Sequence, residues 1–148
     1  KIIQSVLFCC DYNSVRSPMA EGIFKKLVGR RVFVQSAGIY NYLEINGYSI
    51  RVCNEIDVEL NRHQVKSLDN MEKMGGFVGA FDLAIALTPL SLKKIESNSK
   101  FSDIEIEFWN IREPFNDDKR LDKTLDSYRK TRDELYEKIT ERFKVFLN

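Results

Sequence analysis

Near its N-terminus the chain reads Val6-Leu7-Phe8-Cys9-Cys10-Asp11-Tyr12-Asn13-Ser14-Val15-Arg16-Ser17-Pro18, a string that only a few local structures satisfy. The apolar residues read as a buried strand, and Ser17 with Pro18 reads as a helix start, serine as N-cap and proline at the first helical position. The loop between them must turn tightly over the helix N-terminus. Backbone N–H groups there lack intrahelical partners, and with the helix dipole they favour an anion, either a phosphate or a cysteine thiolate. A thiol attacks as its thiolate, which helix N-termini and neighbouring cations favour. Arg16 is spaced to return toward the loop, where its planar guanidinium can grip two oxygens of a phosphoryl group. One loop can thus hold a nucleophile, Cys10, and an anionic ligand.

Downstream, strands and helices alternate. Strands are expected over 2–9, 32–35, 81–87 and 104–109, and helices over 17–28, 48–60, 65–74, 89–96 and 121–147. In the last of these, Leu125, Tyr128, Leu135, Ile139, Phe143 and Phe146 recur at helical spacing and should face inward. Strands separated by helices imply right-handed crossovers and an α/β fold with a parallel sheet covered on both faces, its ligands bound at the carboxyl ends of the strands. With 148 residues, 43% of them hydrophobic, one core and a single domain are expected.

The formal net charge of +1, with both signs interspersed, gives no footprint for nucleic acid or an anionic membrane. No run approaches the roughly 18 apolar residues of a spanning helix. Three cysteines, two of them adjacent, make no disulfide framework and suit a reducing compartment, the cytoplasm. The sequence begins at Lys1, which leaves open whether a leader precedes it. With one histidine, no metal site is expected.

Cys10 to Arg16 followed by Ser17-Pro18-Met19-Ala20-Glu21 resembles the low-molecular-weight protein tyrosine phosphatases and the arsenate reductases that share their fold. The likeness continues through Ser36-Ala37-Gly38, His63 with Lys66, Phe81-Asp82-Leu83 and Glu113-Pro114, nearly the whole chain. It implies one domain over 1–148, three layers α/β/α, and a four-stranded parallel sheet in the order 2-1-3-4 with the phosphate loop between strand 1 and helix 1. It also implies a phosphomonoester hydrolase, a protein tyrosine phosphatase working through a phosphocysteine and needing no cofactor. Cys10 would attack phosphorus. Asp11, Tyr12, Asn13, Ser14, Val15 and Arg16 would cradle the phosphate, and Glu113 would act as general acid. Asn13, held in left-handed backbone by Ser36 and His63, and Ser17, beside the thiol, would support the loop. The ligands implied are a phosphotyrosine protein or small aryl phosphate, and inorganic phosphate, arsenate or vanadate.

Several positions depart from the family pattern. Val15 stands where many members carry a second loop cysteine. Tyr12 stands where a glycine is usual, so it must fit that backbone or alter the pocket rim. Asp11 puts a negative charge beside an anion site, where it either opposes Arg16 or points to solvent. Glu113-Pro114-Phe115 replaces an Asp-Pro-Tyr, with Asp117 and Asp118 as alternative acids. Cys9 and Cys53 read as core residues. Two other functions are compatible with the pattern. An arsenate reductase would need an external thiol, because Ala86-Leu87-Thr88-Pro89 replaces the cysteine pair of thioredoxin-coupled members. A catalytically weak phosphate-binding or phosphoprotein-binding module is the other.

Overall fold

The computed structural model describes residues 2–76 and 78–147. Its elements are β1 (Ser5–Cys10), α1 (Arg16–Val28), β2 (Phe33–Gly38), α2 (Gly47–Asn54), α3 (Leu68–Lys73), β3 (Leu83–Ala86), α4 (Pro89–Glu96), β4 (Glu105–Phe108) and α5 (Leu121–Arg142). The strands form a four-stranded sheet in the order β2-β1-β3-β4, parallel throughout. That is the order the resemblance implied, and it puts β1 in the sheet interior, where its carboxyl end meets those of β2 and β3.

Alternation along β1 builds both cores. Val6, Phe8 and Cys10 face a cluster containing Ile23 and Phe24 of α1, Val52 and Cys53 of α2, and Leu135 and Ile139 of α5. Leu7 and Cys9 face the opposite cluster, with Ala84 and Ala86 of β3, Leu68 and Met71 of α3, and Ile95 of α4. The result is three layers, with the two adjacent cysteines on opposite faces of one strand. Edge-on aromatic contacts tie Phe24 to Phe8 and to Phe143 at centroid distances of 5.8 and 5.0 Å.

Several expected boundaries shift for local reasons. The first strand reaches Cys10 and begins at Ser5, and β2 runs on to Gly38, where it meets Cys10 in register. The helix expected over 48–60 ends at Asn54: Asp57 takes a left-handed φ of 60°, and Val58 N closes the turn on Cys53 O at 2.9 Å. Val58 and Leu60 are still buried, packed over Gly22, where a Cβ would lie 2.7 and 2.6 Å from their side chains. A helix is therefore not needed to put the apolar residue at 60 in the core. The helix expected over 65–74 is confined to Leu68–Lys73 by a Ser67/Asn70 capping box. The long last helix stops at Arg142, followed by a 3₁₀ turn over Lys144–Phe146. Of its predicted inward positions, Leu125, Tyr128, Leu135, Ile139 and Phe143 are buried and Phe146 is partly so.

Polar contacts tie α5 to α2. Arg132 Nη1 donates to Val52 O and to Glu55 Oε1, each at 2.8 Å, and Arg129 Nη2 donates to Glu55 Oε2 at 2.7 Å. The Arg129 guanidinium, with Arg132 assisting, holds the Glu55 carboxyl down to about 2. Among the described residues no helix is long and apolar enough to cross a membrane.

Candidate active site

Cys10 ends β1 and Arg16 begins α1, so residues 11–15 form the whole turn between them. The expectation that Ser17 caps the helix is corrected here. Helix geometry starts one residue earlier, the N-cap is Val15, and no side chain caps the first turn. The amides at this end are left without a side-chain acceptor, the condition for receiving an external anion. Ser17, inside the first turn, sends its hydroxyl to the thiol instead: Cys10 Sγ lies 2.9 Å from Ser17 Oγ.

Asn13 is the hub of the loop. It is fully buried with a φ of 58°, a conformation that asparagine tolerates better than most residues. Its side-chain nitrogen donates to Ser17 Oγ at 2.8 Å and to Ser36 Oγ at 2.9 Å. Its oxygen accepts from Lys66 N at 3.0 Å and lies 2.9 Å from His63 Nε2. A carbonyl oxygen only accepts, so the His63 proton sits on Nε2. Ser17 accepts from Asn13 and keeps its single O–H, which it donates to Cys10 when the sulfur is a thiolate, an acceptor only. Ser36 passes its own proton on to Glu21 Oε1 at 2.6 Å. Burial pushes the His63 pKa down, against the pull of Glu21, whose Oε1 stands 4.0 Å from Nδ1.

Sequence reasoning quoted Glu21 only within the family string and gave it no role. It is buried and receives both Ser36 and, at 2.7 Å, Lys25. The available signal was a carboxylate four residues after Ser17, one turn further along the same side of α1. The His63 side chain, which sequence alone places on a surface loop, is only 7% exposed.

The backbone holds the loop from outside. Asp11 O accepts from Ile39 N and Tyr40 N, each at 2.8 Å, and Ser14 O accepts from Asn46 N at 3.0 Å. Gly38 is required where β2 passes beneath: a Cβ there would lie 2.6 Å from Tyr12 C and 2.8 Å from Asn13 N. Tyr12 itself needs no glycine-like conformation, since Asn13 and Asp57 are the positive-φ residues other than glycine among those described. Its half-exposed ring meets Tyr40 and Tyr42 at centroid distances of 5.6 and 5.5 Å. Tyr12 therefore alters the rim rather than the backbone.

Arg16 is buried. Its Nη1 donates to Ile111 O at 3.0 Å, which fastens the segment after β4 to the start of α1. Its Nη2 stands 3.9 Å from Asp11 Oδ2, and Asp11 Oδ1 accepts from Thr88 Oγ1 at 2.7 Å. The Asp11 side chain is therefore held toward Arg16 rather than released to solvent.

Glu113 lies two residues beyond Ile111. It is exposed, lines a cavity of ≈ 410 Å³ with Arg112, Phe115, Lys130 and Glu134, and its charge reaches Tyr128, whose pKa is raised mainly by burial. Asp117 is committed to its own turn, accepting from Lys119 N and Arg120 N, and Asp118 is exposed.

Neither remaining cysteine is presented to this site. Cys9 is fully buried on the opposite face, and burial, with the neighbouring Cys10 adding to it, pushes its thiol far up. Cys53 sits in the core, where burial pushes its thiol up to about 12. Among the described residues no three His, Cys, Asp or Glu side chains are grouped to hold a metal ion.

Comparison with known proteins places this geometry in a lineage. The model of the family described as low molecular weight phosphotyrosine protein phosphatase matches residues 5–145. Arsenate reductase 2 of Staphylococcus saprophyticus is 26% identical over 140 residues, 93% of this chain and 95% of that protein. An arsenate reductase of Staphylococcus aureus strain N315 is 36% identical over 67 residues, 45% of this chain and 50% of its own length. Among solved structures, a low molecular weight protein tyrosine phosphatase from T. tengcongensis has a TM-score of 0.75 at 24% identity, covering 96% of this chain and 99% of its own. A YwlE mutant from Bacillus subtilis has a TM-score of 0.73 at 26% identity, covering 96% and 97%. The chain belongs to the low molecular weight phosphotyrosine protein phosphatase family, and its relatives include both phosphatases and arsenate reductases.

Proposed function

We propose that the chain is a phosphomonoester hydrolase that acts through a phosphocysteine on Cys10, with protein phosphotyrosine or a small aryl phosphate as substrate. The observation that carries this reading is the pairing of Cys10 Sγ with Ser17 Oγ at 2.9 Å beneath an uncapped helix start that also carries Arg16. In the first step the Cys10 thiolate attacks phosphorus in line, the ester P–O bond breaks, and Glu113 gives its proton to the departing oxygen. Arg16 and the amides of 11–16 take the charge that builds on the equatorial oxygens. In the second step Glu113 takes a proton from water, the water oxygen attacks phosphorus, and the S–P bond breaks to release phosphate and the thiolate. The Ser17 hydroxyl stabilises the sulfur as it leaves. The same loop receives inorganic phosphate, arsenate and vanadate, and the free thiols suit the cytoplasm.

The names of the curated relatives favour a second reading, arsenate reduction. Cys10 would form a thiol-arsenate adduct, and a second thiolate would attack its sulfur, releasing arsenite and leaving a disulfide. Cys9 and Cys53 are both buried with raised thiol pKa values, so that second thiol would come from outside the chain. Electron supply separates the readings. The phosphatase releases phosphate from p-nitrophenyl phosphate over many turnovers with no electron donor, and arsenate acts only as a competitive inhibitor. Thiol-dependent arsenite formation at a rate matching or exceeding hydrolysis would overturn the assignment. Phosphate binding without turnover of either kind would reduce the chain to a binding module.

A further inference from the structure

An acidic side chain at the first position after Cys10 is held beside Arg16. Asp11 Oδ2 lies 3.9 Å from Arg16 Nη2, the guanidinium nitrogen not used on Ile111 O. Thr88 pins the other carboxylate oxygen at 2.7 Å, and Thr88 is itself immobilised: it is 2% exposed and is the N-cap of α4, accepting from Ser91 N at 3.0 Å. The carboxylate can only accept, so the Thr88 hydroxyl proton is committed to it. Arg16 therefore has a resident counter-ion, and an oxyanion that takes Arg16 does so beside a fixed negative charge.

We propose that Asp11 is a specificity-determining residue that makes the phosphate loop select oxyanions of lower charge and release dianions readily. The proposal rests on the reading of the loop as an oxyanion site. A fixed carboxylate repels a bound oxyanion in proportion to the charge the oxyanion carries, whereas the shape of the cradle is the same for all tetrahedral anions of one size. A dianion is thus penalised twice as strongly, on a logarithmic scale, as a monoanion. The inorganic phosphate dianion, dianionic inhibitors and the dianionic form of a phosphomonoester are all disfavoured relative to their monoanions.

Sulfate and methanesulfonate test this, because both are tetrahedral and keep charges of two and one throughout the neutral range. Their binding is read as protection of Cys10 from alkylation by neutral iodoacetamide, followed by mass spectrometry, which needs no turnover. Cys10 keeps 3% exposure where Cys9 and Cys53 have none, and fragmentation of the peptides assigns the alkylated sulfur. Asp11→Asn, whose side-chain oxygen still accepts from Thr88, should tighten methanesulfonate by about threefold to tenfold and sulfate by about the square of that factor. Asp11→Ala should shift the sulfate-to-methanesulfonate ratio in the same direction. A role limited to tying the loop to α4 would change both affinities alike and leave the ratio where it is in the parent, which would overturn the proposal. Absence of sulfate protection in parent and variants would instead refute the oxyanion site itself, and the proposal with it.

Discussion

Cys10→Ser will lower kcat for p-nitrophenyl phosphate by at least about 10⁴ while leaving inorganic phosphate binding within a fewfold of the parent. The two effects separate because they rest on different atoms. The serine hydroxyl stays protonated at neutral pH and is a poor nucleophile toward phosphorus. The amides over 11–16, the Arg16 guanidinium and the Asn13 hub that shapes the loop do not depend on sulfur. Calorimetric titration with phosphate and steady-state phosphate release, run on the same preparation, check both halves. Hydrolysis at the parent rate would remove Cys10 from the mechanism. Loss of phosphate binding would mean that the sulfur, not the cradle, holds the anion.

Glu113→Gln carries the second large effect. It should reduce kcat by about 10² to 10⁴ for tyrosine phosphate, whose phenolate leaves poorly without a proton, and by much less for p-nitrophenyl phosphate. A plot of log kcat against leaving-group pKa should therefore steepen in the variant. The segment that carries Glu113 is tied to the Cys10 loop two residues earlier, where Arg16 Nη1 donates to Ile111 O; the cavity that Glu113 itself lines includes none of residues 10–17. Asp117 is a weaker candidate because its carboxylate is used by Lys119 N and Arg120 N. An unchanged slope in Glu113→Gln, together with a steepened one in Asp118→Asn, would move the acid to the exposed Asp118.

What the sequence made legible was what lies close together in it. Cys10 and Arg16 bound one turn, so spacing alone implied that they would meet, while the roles of Asn13 and Ser17 beside them came from the resemblance. The β-α alternation followed from apolar runs separated by helical periodicity. The strand order came from resemblance, since no local pattern records which edge a crossover returns to. The errors have the same origin. Ser17 before Pro18 satisfied the rule for an N-cap, but the thiol claims its hydroxyl and the helix begins before it. Leu60 kept the helical period of residues 48–60, although the chain had already reversed at Asp57. Glu21 was hidden because its partners Ser36 and His63 lie on other elements. The orientation of Asp11 depends on Thr88, 77 residues away, and no local rule connects the two.

Trapping of the intermediate bears most directly on the account. The protein is mixed with excess p-nitrophenyl phosphate in the absence of thiols, acid-quenched within milliseconds and digested, and the peptide carrying Cys9 and Cys10 is analysed by mass spectrometry with fragmentation. A phosphoryl group on Cys10, formed and lost at rates consistent with steady-state phosphate release, is the predicted result. Turnover with no phosphoryl group on Cys10 at any quench time, or with the group on another residue, would contradict it.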